Sequence, residues 1–225
     1  DTRHTGKLLR HFGIHKPLRS LHEHNEQQQA EGLVGLLLQG QDIALVSDAG
    51  TPLVSDPGYR LVRAAHAAGV PVSPVPGPSS LVAALSVAGL PTDRFAFEGF
   101  LPAKDGPRQR ALAALASDPR TLVFFESPHR VLRTLEDMAA AFGADREAAI
   151  ARELTKTFET IYTAPLGELP AWLQADPDRQ RGEFVLMVAG RRSGEAEQDT
   201  AEAERVLQVL LAELPVRQAA GLAAE

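Results

Sequence analysis

The segment Asp42-Ile-Ala-Leu-Val-Ser47, the polar loop Asp48-Ala-Gly-Thr-Pro-Leu-Val-Ser-Asp-Pro-Gly58 and the run Tyr59-Arg-Leu-Val-Arg-Ala-Ala-His-Ala-Ala68 read in order as strand, loop and helix. The first run is apolar and short enough for a buried strand. The third has helical spacing and stops at Gly69, after which Val70 to Val75 reads as the next strand. On the N-terminal side, Asn25 with Gln28 forms a capping-box pattern. Leu33, Leu36 and Leu37 then recur at helical spacing up to Gly40.

The alternation continues downstream. Pro78 and Ser79 open a helix that runs to Ala88 and stops at Gly89. Thr121–Glu126 reads as a strand, and Ser127-Pro128 as the cap of a helix ending at Gly143. Ala148–Arg152, Phe158–Thr163 and Phe184–Val188 read as further strands. Strands separated by helical stretches predict an α/β fold built from crossover units. Val75-Pro-Gly-Pro78 breaks the pattern most sharply and divides the chain into an α/β domain over 1–76 and a second over 77–190. Residues 191–225 read as an acidic linker, an amphipathic helix over Ala201–Leu214 and a helical appendage beginning at Pro215. The chain starts at Asp1 without a methionine and closes in an Ala-rich stretch at Glu225, so either end is read as continuing into a longer protein.

Composition sets outer bounds. With 225 residues, 44% hydrophobic and 23% charged, the chain can bury a sizeable core. It holds no cysteine, which removes thiol nucleophiles, Cys-ligated metals and disulfides, and fits a cytoplasmic setting. Its apolar runs fall short of the roughly 20 residues that span a bilayer. The formal charge of −6 argues against a uniformly basic nucleic-acid coat. Residues 1–19 reverse that sign, with Arg3, Lys7, Arg10, Lys16 and Arg19 against Asp1 alone. This opening reads equally as a phosphate-binding face or a solvated one.

Several motifs can be excluded. No G-x-G-x-x-G follows a strand, Gly6-Lys7 is followed by leucine rather than a P-loop hydroxyl, and His22-Glu-His-Asn-Glu26 lacks the zinc-protease spacing. His22 and His24 share a face if extended but have no further clustered ligand, so no metal site is expected. Two loops remain. Ser47–Gly58 offers close backbone approach at Gly50 and polar anchors at Asp48, Thr51, Ser55 and Asp56. Val75–Ser80 sets Ser79 and Ser80 at a helix start, where backbone N–H groups attract anions. Each loop reads equally as ordinary turn and cap chemistry. Gly77-Pro-Ser-Ser-Leu81 also resembles a hydrolase elbow but lacks its closing glycine.

The ordered strings "DTRHTGKLL" (1–9), "HEHNE" (22–26), "SDAGTPLVSDPG" (47–58), "VPGPSS" (75–80), "FFESPHR" (124–130), "RELTKTFE" (152–159) and "GEFVLMVAG" (182–190) resemble the ribosomal RNA small subunit methyltransferase I family, within the tetrapyrrole methylase superfamily. The resemblance implies two α/β domains with a cofactor cleft between them, preceded by a strand and a Gly/Pro turn ahead of "DTR". It implies a cytoplasmic, homodimeric enzyme that transfers methyl from S-adenosylmethionine to the ribose 2′-hydroxyl of a cytidine in the decoding region of 16S rRNA, with no DNA or membrane partner. Gly50, Thr51, Pro52, Val54, Ser79, Ser80, Phe125, Ala151 and Phe184 match cofactor-binding positions. Arg3, Lys7, Arg10, Arg130 and Arg152 are the cations placed for RNA phosphates, and few aromatics predict little base stacking. Glu126, Glu153 and Lys156, with His129 behind them, are the candidates for removing the hydroxyl proton; a lysine serves only if its pKa is depressed. A tetrapyrrole acceptor and a noncatalytic RNA-binding module are the alternative readings.

Overall fold

The computed structural model describes residues 1–191, 207, 209–211 and 218, in two compact units, Asp1–Ala83 and Ala84–Glu225. The expected linker and most of the appendage lie outside the described residues; Leu207, Val209, Leu210 and Leu211 of the expected helix are helical.

Unit 1 is helical. Helices α1 (Thr2–His11), α2 (Glu26–Leu38) and α3 (Tyr59–Ala67) are joined by extended loops, and α4 (Ser80–Val87) straddles the boundary with unit 2. Leu33 and Ala30 of α2 and Leu61 and Ala65 of α3 are its buried apolar side chains. The strands expected over 42–47 and 70–75 are absent: neither segment joins a strand ladder among the described residues, Val70 N donating instead to Ala65 O at the end of α3, and Ile43, Val46, Val72 and Val75 are exposed. An extended run becomes a strand only when a neighbour takes its hydrogen bonds. Asn25 also departs from the capping-box reading. Its side chain accepts from His22 N at 2.8 Å and donates to Ser20 O at 3.1 Å, and makes no cap bond to α2.

Unit 2 is a mixed five-stranded sheet in the order β1-β2-β5-β3-β4, formed by β1 (Phe95–Phe100), β2 (Thr121–Glu126), β3 (Glu147–Arg152), β4 (Thr160–Pro165) and β5 (Phe184–Val188). β1 runs parallel to β2 across the crossover helix α5 (Asp105–Leu115), and the remaining pairs are antiparallel. β5 is buried along its whole length, which is why Phe-Val-Leu-Met-Val is a continuous apolar run rather than an alternating one. On one face Leu122, Phe124, Ile150, Phe184, Leu186 and Val188 pack with α6 (Val131–Phe142) and α7 (Leu169–Gln174). Tyr162 stacks on Trp172 with centroids 4.4 Å apart, and the Arg179 guanidinium sits 4.5 Å over the indole, pinning β4, α7 and the short 3-10 turn Pro177–Gln180 together.

Arg108 is the most deeply buried cation among the described residues. It donates from Nε to Asp137 Oδ2 and from Nη2 to Asp105 Oδ1, each at 2.7 Å, and so ties α5 to α6. Burial works against the Asp137 charge, but hydrogen bonds from Gln109 and Arg108 outweigh it and hold the carboxyl below its ordinary range. Truncating Arg108→Met leaves that carboxylate buried without its cation. The expected cost is about 3 kcal/mol in urea unfolding, and a loss within the scatter of a surface substitution would contradict the assignment.

Candidate functional site: two braced loops and a clamped turn

In unit 1 the loop 47–58 is braced at three points. Ser47 Oγ donates to the Asp56 carboxylate, closing the loop's start onto its end. Glu26, buried at the head of α2, accepts from Gly58 N at 3.0 Å and Arg60 N at 2.6 Å, capping α3 from outside its own sequence. Thr51 Oγ1 donates to Pro78 O at 2.9 Å. That bond joins the first glycine-proline loop to the second across 27 positions of sequence. Gly50, at φ +76°, stands against the same carbonyl, and a Cβ built on it would lie 4.0 Å from Pro78 O. Gly50, Thr51, Ser79 and Ser80 are therefore neighbours. Pro52 and Val54 lie on the same loop, half-buried. Leu53 and Ser55 take left-handed φ values of 72° and 54°.

Asp56 and Thr51 are thus engaged as braces, while Asp48 and Ser55 stay exposed. Glu26 is the functional residue that sequence reasoning missed. Its signal was the "HEHNE" string, but nothing local tells which distant amides a glutamate will cap. No strand leads into Ser79, so the strand-turn-helix required for a hydrolase elbow is missing among the described residues. The His22 and His24 rings lie 6.0 Å apart, edge to face, on exposed residues.

In unit 2 the candidates gather at one end of the sheet. Phe125 and Ala151 both register with Val185 and share a face, and Phe125 packs edge-on against Phe97 and Phe100. Phe184 registers between Glu126 and Arg152 and buries its ring in the opposite, core face. Glu126 is fully enclosed. Oε1 accepts from Ser127 N at 2.7 Å, and Oε2 accepts from the Thr134 hydroxyl at 2.7 Å and from Arg130 Nη2 at 3.0 Å. Its carboxylate organises the turn before α6, which begins at Val131 rather than at Pro128.

Two expected phosphate contacts are likewise turned inward. Arg130 also donates to Leu101 O at 2.8 Å. Arg152, 7% exposed, donates to three main-chain carbonyls, Arg181 O at 2.6 Å, Asp178 O at 2.7 Å and Phe158 O at 3.0 Å. Its fork is consumed by the chain itself. Arg3, Lys7 and Arg10 are exposed on α1 at helical spacing, and Arg3 also makes a forked contact with Asp1.

The loop after β3 is held by a clamp. Glu153 Oε1 accepts from Lys156 Nζ at 2.8 Å and from Glu183 N at 2.9 Å, and Lys156 also reaches Glu183 Oε2 at 2.9 Å. Among the described residues no donor reaches Glu153 Oε2. The Lys156 ammonium, followed by the Glu183 amide, holds the Glu153 carboxyl below its usual range. Hydrogen bonds to Glu153 and then Glu183 push the Lys156 amine up, opposite to the shift a lysine base needs, so Lys156 is a held cation and not a proton acceptor. His129 is exposed. Glu153 and Thr155 take φ values of 50° and 65°, so all four non-glycine residues with positive φ among the described residues fall in the 47–58 loop and the loop after β3. Backbone strain of this kind persists where the surroundings enforce it.

The comparisons with known proteins bear on this arrangement. The tetrapyrrole (corrin/porphyrin) methylase family profile matches residues 2–170, and the RsmI C-terminal HTH domain profile matches 197–225. "Ribosomal RNA small subunit methyltransferase I" of Escherichia coli O157:H7 is 58% identical over 225 residues, covering 100% of this chain and 78% of its own. The chain belongs to that family. The relative of the same name from Pseudomonas aeruginosa is 56% identical over 226 residues, covering 100% of this chain and 80% of its own. Among solved structures, the methyltransferase CobJ superposes with a TM-score of 0.55 at 22% identity over 80% of this chain and 77% of its own, which shows the shared fold. The uroporphyrin-III-C-methyltransferase of Thermus thermophilus gives 0.51 at 23% over 73% and 71%. Membership makes the chain a methyltransferase, and among its described residues no helix is long and apolar enough to cross a membrane.

The clamp makes a definite prediction. A Cβ on Gly182, at φ +93°, would stand 2.4 Å from Glu153 Cγ and 2.5 Å from its Cδ and Oε1. Gly182→Ala is expected to expel the carboxylate and destabilise unit 2 by about 1–3 kcal/mol in denaturant unfolding. The charge contribution follows from the two shifts. Glu153 stabilises above the pH where it ionises in the unfolded chain and loses this as pH falls through its lower folded value. Lys156 stabilises below its unfolded pKa and loses this as pH rises through its higher folded value. The difference between wild type and Gly182→Ala should therefore stay flat across neutral pH and shrink in strong acid and strong base; a step near pH 7 would contradict the clamp.

Proposed function

We propose that this chain transfers the methyl group of S-adenosylmethionine to the 2′-hydroxyl of a cytidine ribose in the decoding region of 16S rRNA, working as a cytoplasmic homodimer. The observation that carries the reading is the Thr51–Pro78 hydrogen bond, which sets two motif loops side by side in a chain 58% identical to a small subunit rRNA methyltransferase over its whole length. The residues fit such a donor. Gly50 leaves the approach to the loop open, Thr51 and Pro52 fix its path, Val54 adds an apolar side chain, and Ser79 and Ser80 bring hydroxyls and the first amides of α4. Phe125 and Ala151 are carried over from the family resemblance as further donor contacts.

S-adenosylmethionine supplies an electrophilic methyl carbon and departs as a neutral thioether. The chain's own task is to position the acceptor and remove its proton. A ribose hydroxyl becomes strongly acidic as its oxygen bonds to carbon, so a weak base suffices if it is ionised and in place. Glu153 fits that role: Lys156 and the Glu183 amide hold Oε1, Oε2 is open, and the lowered pKa keeps it a carboxylate at neutral pH. Lys156 is its positioning residue. Glu126 shapes the turn that carries Arg130. On α1, Arg3, Lys7 and Arg10 neutralise RNA phosphates.

With tritiated donor and small ribosomal subunits, label is expected in an alkali-resistant cytidine dinucleotide, the signature of a 2′-O-methyl group; label in a base, or transfer to a tetrapyrrole alone, would overturn the reading. Thr51→Val should weaken donor binding about tenfold by calorimetry, the loss of roughly one hydrogen bond. Glu153→Gln, close in shape, should lower kcat about 100-fold with little change in KM for donor.

A further inference from the structure

One built feature of unit 1 lies outside the site described above, the reversal that follows α1. Gly13, at φ +66°, ends the helix in a Schellman motif: Ile14 N donates to Leu9 O at 2.8 Å and Gly13 N to Arg10 O at 3.1 Å. Only a residue that tolerates the left-handed region turns the chain back this sharply. Ile14 through Leu18 then return alongside the helix. Gly6 has no side chain, and a Cβ there would lie 3.7 Å from Leu18 Cδ1. Between helix and return lies an open pocket of about 390 Å³ whose lining includes the aliphatic Leu9, Ile14, Pro17 and Leu18 and the cationic Arg10 and Lys16.

Two properties of this pocket point to one ligand class. It presents aliphatic surface to solvent: Ile14 and Leu18 are 43% and 39% exposed. Its surroundings are cationic, since Arg3, Lys7, Arg10, Lys16 and Arg19 face only Asp1 as a counter-charge within the first 19 residues, and Asp1 is taken by Arg3. A pocket that combines aliphatic side chains with exposed cations suits a flat ring with stackable faces joined to a phosphate, which is an unpaired nucleotide. A paired base keeps its faces inside the stack and cannot enter.

We propose that the pocket between α1 and the 14–18 return binds an unpaired nucleotide of the rRNA substrate, its base on Leu9, Ile14 and Leu18 and its phosphates on Arg10 and Lys16. This rests on the rRNA reading above and adds to it a single-strand site.

The test uses the full chain and a mixed-sequence oligoribonucleotide carrying 4-thiouridine, irradiated single-stranded or annealed to its complement, with cross-linked tryptic peptides read by mass spectrometry. The single strand is expected to label the peptide His11–Arg19 and the duplex to leave it unlabelled. In parallel, Lys16→Ala should lower the slope of log affinity against log salt by about 1, with donor affinity unchanged. Labelling confined to other peptides, equal labelling by duplex, or an unaltered salt slope in Lys16→Ala would overturn the proposal. Methyl transfer to small subunits, measured on the same preparation, separates the two readings. Transfer with an unlabelled pocket removes this site and leaves the enzyme assignment standing. A labelled pocket without transfer keeps the site and removes the assignment.

Discussion

The Thr51 hydroxyl on the Pro78 carbonyl is the contact on which the functional account depends. A neutral hydrogen bond nets only about 1 kcal/mol, so by itself it could not hold two loops in register. It works because both partners are already fixed. Ser47 and Asp56 close the first loop, Glu26 caps the helix behind it, and the proline at 78 restricts the second. A weak bond between two preorganised segments loses little entropy on forming, whereas the same bond between free loops would be spent on ordering them.

Unit 2 handles charge differently. Its buried ions are matched inside the fold: Arg152 by three carbonyls, Glu126 by an amide, a hydroxyl and a guanidinium, and Arg108 by two carboxylates. An unmatched charge in these positions would cost several kcal/mol, which is why Arg152 at the end of β3 turns inward onto main-chain carbonyls. The exposed cations of α1 carry no such obligation. The division also explains the candidate base. Glu153 sits at the margin of the sheet, with one oxygen tied into the clamp and the other without a donor, so it combines a fixed position with a free lone pair.

Much of the fold was legible because burial writes itself into composition. The uninterrupted apolar runs of β2 and β5 and the helical spacing of α3 occur where the sequence reading put them. β1 escaped notice because Glu98 and Gly99 interrupt it, and its register shifts between Phe97 and Gly99. α5 escaped because it opens on Asp-Gly-Pro, which reads as a turn. The opposite error arose at 42–47 and 70–75, where strand-like sequences have no ladder partner among the described residues. In the site, the motif loops could be read from glycine, proline and hydroxyl spacing. The distant partners of Lys156 and Arg152, Glu183 in one case and the Asp178 and Arg181 carbonyls in the other, could not, because pairing over 20 or more positions is a product of topology.

The central claim is that the two glycine-proline loops act as one binding surface. Amide chemical-shift mapping on the isotopically labelled chain during titration with S-adenosylhomocysteine tests it most directly. The account predicts that Gly50, Thr51, Ser79 and Ser80 shift together and saturate with a common Kd. Shifts confined to one loop, or two loops saturating at different concentrations, would contradict it.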